Sequence, residues 1–130
     1  MTDVLIVDDH SPFAQELARL LELAGCRVVG IAGDIAEAER LLHATPADLA
    51  LVDVVLPGIN GIEGIPRLRA IMPELPIILM SAHVDQADLF QNAAREAGNV
   101  RFIAKDDLDV NQIHAWAKRQ QNHASPKGGK

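Results

Sequence analysis

Residues 3–13 read Asp-Val-Leu-Ile-Val-Asp-Asp-His-Ser-Pro-Phe. Four consecutive aliphatics end in two carboxylates, and a Ser-Pro step follows. A short, fully apolar run of this kind suits a strand buried on both faces. Beyond it the apolar spacing changes. Phe13, Leu17, Leu20, Leu21 and Ala24 recur at i, i+4, i+7, i+8 and i+11, one face of a helix. Ser11 with Pro12 is expected to cap that helix, and Gly25 to stop it. Strand, acidic turn and helix thus occupy the first 25 residues.

The same alternation continues outward. Further aliphatic runs lie at Val28–Ala32, Leu49–Val52, Ile77–Met80 and Phe102–Ala104. Helix-length segments separate them. Asp34 followed by Glu37 resembles a capping box that opens a helix through Leu41 and Leu42. Gly61 to Met72 contains Gly64 and Pro66, so that helix is expected to begin late or irregularly. Asp85 to Ala97, closed by Gly98, is the fourth helix. The fifth is expected from Asp107 or Leu108 to about Gln120, with Val110, Ile113, Trp116 and Ala117 inward. Five β-α repeats imply an α/β fold, a doubly wound parallel sheet with helices on both faces.

Composition bounds the function. Of 130 residues, 48% are hydrophobic and 23% charged, an ordinary globular balance. One domain over 1–120 is expected, with 121–130 a flexible tail or the start of a linker. That last stretch is rich in Ser, Pro, Gly and Lys. Residues 1–117 hold all 18 acids and only 8 of the 12 Lys and Arg side chains. A net charge of −6 argues against direct nucleic-acid binding, which needs a basic footprint. No run approaches the ~18–20 apolar residues of a membrane span. The single cysteine, Cys26, reads as a small buried hydrophobe, and its isolation suits a cytoplasmic setting.

In an open parallel sheet ligands collect beyond the carboxyl ends of the strands. Asp8 and Asp9 stand there after the first strand, Asp53 after the third, Ser81 after the fourth and Lys105 after the fifth. Strand two offers nothing comparable, so it belongs at the edge. Two carboxylates about 4 Å apart repel by roughly 4 kcal/mol at an effective dielectric of 20. Such a cluster needs a cation or raised pKa values. Hard oxygen ligands without His or Cys suit Mg²⁺ completed by a phosphate. A carboxylate nucleophile, a divalent metal, a lysine and a hydroxyl are the parts needed to place a phosphoryl group on an aspartate. Taken singly each residue has a plainer reading, as a helix cap or a solvated charge. His10 and His83 are expected near the acidic edge. His43, His114 and His123 are expected at the surface.

The motif set resembles a response-regulator receiver domain of two-component signalling. It consists of Val-Asp-Asp-His at 7–10, Leu-Val-Asp-Val-Val-Leu-Pro-Gly-Ile-Asn-Gly at 51–61, Leu-Met-Ser-Ala at 79–82 and Phe-Ile-Ala-Lys at 102–105. The resemblance spans about residues 3–120. It implies a flavodoxin-like (βα)5 sheet in the order 2-1-3-4-5, with Asp53 as phosphoacceptor. It implies Mg²⁺, replaceable by Mn²⁺, held directly by Asp9, Asp53 and the backbone carbonyl of Val55, with Asp8 acting largely through metal-bound water. Ser81 would be the switch hydroxyl, Lys105 the phosphate-contacting lysine and Phe102 the aromatic switch residue. The implied donor is a histidine kinase or histidine phosphotransfer protein. The implied output is a protein partner, or a receiver homodimer, on the face of helix 4, strand 5 and helix 5. On this reading the chain is a signalling phosphoacceptor rather than an enzyme acting on an external metabolite.

Four positions depart from the family pattern. Asp106 replaces a frequent proline after the lysine, which argues for a trans bond there. Arg101 replaces a frequent glycine. Val55 and His83 occupy the two positions that tune dephosphorylation, and Val55 has no polar group to position water, which implies a long-lived phosphoryl group. A phosphorylation-independent binding module of the same fold is the alternative, and the intact site set counts against it. A flavin binder or an aspartyl phosphatase fits less well. The loop Asp8–Pro12 is acidic rather than Gly/Ser/Thr-rich, and Val55 stands where a phosphatase would place a second acid.

Overall fold

A computed structural model describes residues 1–124. Five strands alternate with five α-helices: β1 Thr2–Val7, α1 Ser11–Leu23, β2 Cys26–Ala32, α2 Ile35–Ala44, β3 Leu49–Asp53, α3 Gly61–Ile71, β4 Ile77–Ser81, α4 Ala87–Ala97, β5 Val100–Ala104 and α5 Val110–Ala124. All strand pairings are parallel, in the order β2-β1-β3-β4-β5. The expected order and the edge position of strand two are both present.

The two-residue period of the strands sorts the core into two layers. Leu5, Val7, Ala50, Val52, Ile77, Leu79 and Phe102 face one side and pack with Ile35, Leu42, Ile65, Leu68 and Phe90 of α2, α3 and α4. Val4, Ile6, Leu49, Leu51, Ile78 and Met80 face the other side. They meet Ala14, Leu17 and Leu21 of α1 and Ile113, Trp116 and Ala117 of α5. Every residue of β3 and β4 is buried, as runs without polar alternation require. Cys26 is buried in the α1–α5 layer, and desolvation raises its thiol pKa.

Several helix ends differ from expectation. His10, not Ser11, is the N-cap of α1, and its backbone N–H donates to Asp8 Oδ1 at 2.8 Å. The turn is organised by the preceding carboxylate, so the Ser11 hydroxyl is free to accept from Gln15 Nε2 at 3.2 Å. Within α1, Leu20 lies at the solvent rim, 36% exposed, while Ala14, Leu17 and Leu21 form the buried stripe. Asp34 caps α2 by accepting from Glu37 N, but Glu37 Oε1 accepts from Gly33 N rather than from the cap residue.

Helix α3 begins neither late nor irregularly. Asn60 and Glu63 form a complete capping box, with Asn60 Oδ1 accepting from Glu63 N at 2.8 Å and Glu63 Oε1 from Asn60 N at 3.1 Å. Two satisfied end groups hold the first turn despite Pro66 inside the helix. Gly61 and Gly64 are there for close approach. A Cβ on Gly61 would fall on the Asp53 carbonyl oxygen, and one on Gly64 on the Ile35 side chain.

Helix α4 starts at Ala87 because Val84–Gln86 form a 3-10 turn, and it ends at Gly98 with φ +74°. A second 3-10 turn, Lys105–Asp107, delays α5 to Val110 and carries Asp106, with every described peptide bond trans. Asp109 Oδ1 then accepts from Asn111 N and Gln112 N, and α5 runs to Ala124 rather than ending near Gln120. His114 is half-buried with Nδ1 3.0 Å from the Ala24 carbonyl, so it is no simple surface residue. The other expected surface histidine of α5, His123, has no described side chain, and 125–130 of the expected tail lie outside the described residues.

Candidate functional site

Sheet register assembles the candidate site as a staircase. Val7 pairs with Val52, so Asp8 follows β1 beside Asp53, the last residue of β3. Asp53 pairs with Met80, one residue before Ser81. Ser81 pairs with Ala104, one residue before Lys105. Parallel strands all expose their carboxyl ends on one edge, so three ladders bring together residues up to 97 positions apart in sequence.

The ligand atoms of Asp8, Asp9 and Asp53 all lie within 4.8 Å of one another. Asp8 is 2% and Asp53 6% exposed, whereas Asp9 faces solvent. Lys105 Nζ donates to Asp53 Oδ2 at 3.1 Å. It also stands 2.8 Å from Asp8 Oδ2, an ion-pair contact lying off the direction of a hydrogen bond. Asp53 Oδ1 accepts from Val55 N at 3.1 Å. Asp8 Oδ2 is therefore a buried anionic oxygen with no directional donor. Three carboxylates so close together, with only the one Lys105 ammonium against Asp8 and Asp53, form a set of hard oxygens that fits an oxygen-loving divalent cation.

Electrostatics follow from this packing. Burial is the largest influence on Asp53 and pushes its carboxyl pKa up, reinforced by Asp8. The Val55 N–H and Lys105 work in the opposite direction without prevailing. Burial alone would lower the pKa of Lys105. The two carboxylates outweigh it, and the ammonium is held above its ordinary range. The site stores repulsion between Asp8 and Asp53 and relieves it through one shared cation.

Ser81 is completely buried, and its hydroxyl accepts from His83 N at 2.9 Å. It serves its own loop and does not cap α4. His83 and His10 are exposed beside the acidic edge, and Val55 is 53% exposed. Phe102 is 7% exposed, its ring 5.3 Å from that of Phe90 and tilted by 52°. Arg101, on the opposite face of β5, lies 5.9 Å from the Trp116 ring centroid. A groove of about 440 Å³ lies between α4, β5 and α5, lined among others by Gln91, Arg101, Phe102 and Gln112.

Three neighbours escaped the sequence reading. Phe13 of α1 puts its ring centroid 4.2 Å from Lys105 Nζ. Phe90 pairs with Phe102. Arg69 of α3 reaches the turn before β5. Phe13 and Phe90 carried only an apolar signal, and nothing local distinguishes Arg69 from the solvated Arg67 two positions earlier.

Comparison with known proteins agrees with this fold. The family described as response regulator receiver domain matches residues 4–118. A transcriptional regulatory protein named NarL from Mycobacterium tuberculosis is 36% identical over 113 residues, 86% of this chain and 51% of that protein. A protein-glutamate methylesterase/protein-glutamine glutaminase from Caulobacter vibrioides is 34% identical over 102 residues, 78% of this chain and 29% of that protein. The chain thus spans about half or less of these relatives. A two-component response regulator of the LuxR family from Aurantimonas sp. SI85-9A1 superposes with a TM-score of 0.79 at 30% identity. That match covers 94% of this chain and 87% of the other. Among the described residues no helix is long and apolar enough to cross a membrane.

Proposed function

The chain belongs to the response regulator receiver family, and from that premise we propose that Asp53 accepts the phosphoryl group, Lys105 contacts it and Ser81 with Phe102 read it out. The carrying observation is the shared ammonium of Lys105, 3.1 Å from Asp53 Oδ2 and 2.8 Å from Asp8 Oδ2 at the carboxyl edge. The donor is a phosphohistidine of a kinase or phosphotransfer partner. Asp53 attacks in line, the P–O bond forms as the P–N bond breaks, and the imidazole leaves and takes up a proton. Lys105 offers charge to the equatorial oxygens without having to be recruited from solvent. Asp8, Asp9, Asp53 and the Val55 carbonyl would hold Mg²⁺, or Mn²⁺ in its place. When bound, that ion supplies charge neutralisation for the incoming phosphate.

Ser81 provides the readout. Its hydroxyl accepts from His83 N at 2.9 Å and donates only at 3.5 Å to His83 O, so the O–H is held by no more than a long neutral bond, at most about 0.5–1.5 kcal/mol net. A hydrogen bond to a charged group contributes roughly 1.5–3 kcal/mol, so a phosphoryl oxygen draws the Ser81 O–H away from the His83 carbonyl while the His83 N–H can go on donating to the same hydroxyl. Movement of Ser81 shifts the start of α4, where Phe90 packs on Phe102, and favours rotation of Phe102 toward the groove between α4, β5 and α5. That face would meet a protein partner or a second receiver. The Val55 side chain has no polar atom with which to orient water, so the acyl phosphate is long-lived.

Intact mass after incubation with Mg²⁺ and a small acyl-phosphate donor tests the assignment. One added phosphoryl group is expected, lost in Asp53→Ala and without Mg²⁺, and its decay gives the lifetime. An adduct that survives Asp53→Ala would overturn it.

A further inference from the structure

The ammonium of Lys105 is enclosed on three sides. Asp8 Oδ2 and Asp53 Oδ2 take two of them, and the Phe13 ring takes the third with its centroid 4.2 Å away. The lysine side chain is only 12% exposed. Phe13 lies in the first turn of α1, which starts from His10 beneath the Asp8 carboxylate and is closed by Ala14 N donating to His10 O at 3.0 Å. The helix that carries the ring is therefore registered on the same acid that pairs with the lysine. Behind the ring, an apolar groove of about 250 Å³ opens between α1 and α5, lined among others by Phe13, Leu17, Leu20, Lys105, Leu108 and Val110. The ring and Lys105 both border that groove.

We propose that Phe13 is a positioning residue for Lys105: its ring face holds the ammonium over Asp53 by a cation–π contact and covers a side of it that the two carboxylates leave open. The inference rests on the assignment of Lys105 as the phosphate-contacting group. A lysine, with four side-chain torsions, loses much of its freedom when ordered. A ring that orders it before phosphoryl transfer removes that cost from the barrier. A ring is needed because an aliphatic side chain of similar bulk has no negative face to offer a desolvated cation.

The test is a double-mutant cycle read as the rate of phosphorylation by the small acyl-phosphate donor. Phe13→Leu should react roughly three- to tenfold more slowly, and Phe13→Trp should restore most of the rate. In a Lys105→Met background, Phe13→Leu should change nothing further. An independent readout without metal or donor is the NMR order of the Lys105 ε-methylene, which should fall in Phe13→Leu and recover in Phe13→Trp. A Phe13→Leu protein as fast as the parent, or the same loss with and without Lys105, would overturn the inference while leaving Lys105 its role. A Lys105→Met protein that reacts at the full rate would instead remove the assignment of Lys105, and this inference with it.

Discussion

The two ends of α4 are held by different forces. At its C-terminal end the Arg69 guanidinium donates to the carbonyls of Ala97, Gly98 and Asn99 at 3.0, 2.7 and 3.0 Å. The same group donates twice to Leu75 O at 3.2 and 2.9 Å. One cation ties α3, the loop before β4 and the turn before β5, where Gly98 and Asn99 both take positive φ. It also meets the negative end of the helix dipole. At its N-terminal end α4 follows a 3-10 turn, and Gln86 makes no side-chain cap. What holds that end is Phe90 against Phe102, 5.3 Å between centroids. Hydrogen bonds are directional and break when geometry changes, whereas an apolar contact can slide and repack. One end of α4 is thus held by directional bonds and the end next to Ser81 by an apolar contact, so we expect the second to be the one that responds.

Breaking the clamp should have the largest effect. Arg69→Met leaves carbonyls at the α4–β5 turn unsatisfied and should cost roughly 2–4 kcal/mol in urea unfolding. Amide exchange should rise first at the C-terminal end of α4. Uniform acceleration along the helix would show that the two ends do not differ.

Loosening the aromatic contact comes next. Phe90→Leu keeps an apolar side chain but removes the ring pair, at about 1–2 kcal/mol. The Phe102 ring should then flip faster in the unphosphorylated state, as read by NMR exchange. A Phe102 signal unchanged by this substitution would break the link between α4 and the readout.

The smallest change tightens the free end. Gln86→Ser supplies the missing cap and should stabilise by about 0.5–1 kcal/mol. Chemical-shift changes along α4 on phosphorylation should shrink while the rate at Asp53 stays the same. A change in that rate without a change in amplitude would place the free end in the chemistry rather than in the readout.

Much of this molecule is legible in the chain. The β-α alternation and the position of each site residue one step beyond an apolar run follow from local pattern, because parallel strands end on one edge. The resemblance added roles, and Asp8, Asp9 and Asp53 do stand together. Local reasoning failed where a neighbouring side chain or a distant carbonyl outweighed the signal it followed. The N-cap of α1 belongs to His10 because the Asp8 side chain organises the turn. Helix α3 starts on time because its capping box outweighs Pro66, and His114 is drawn half inside by the Ala24 carbonyl.

By itself the sequence determined the fold, the acidic edge and the chemical types gathered there, since these depend on period, run length and residue identity. Only the tertiary structure decided that one lysine serves both Asp8 and Asp53, that Phe13 covers it, and that Arg69 clamps one end of α4. Those facts depend on which side chains meet across separate strands and helices. Sheet register and layer packing set that geometry, and no local window of the chain contains it.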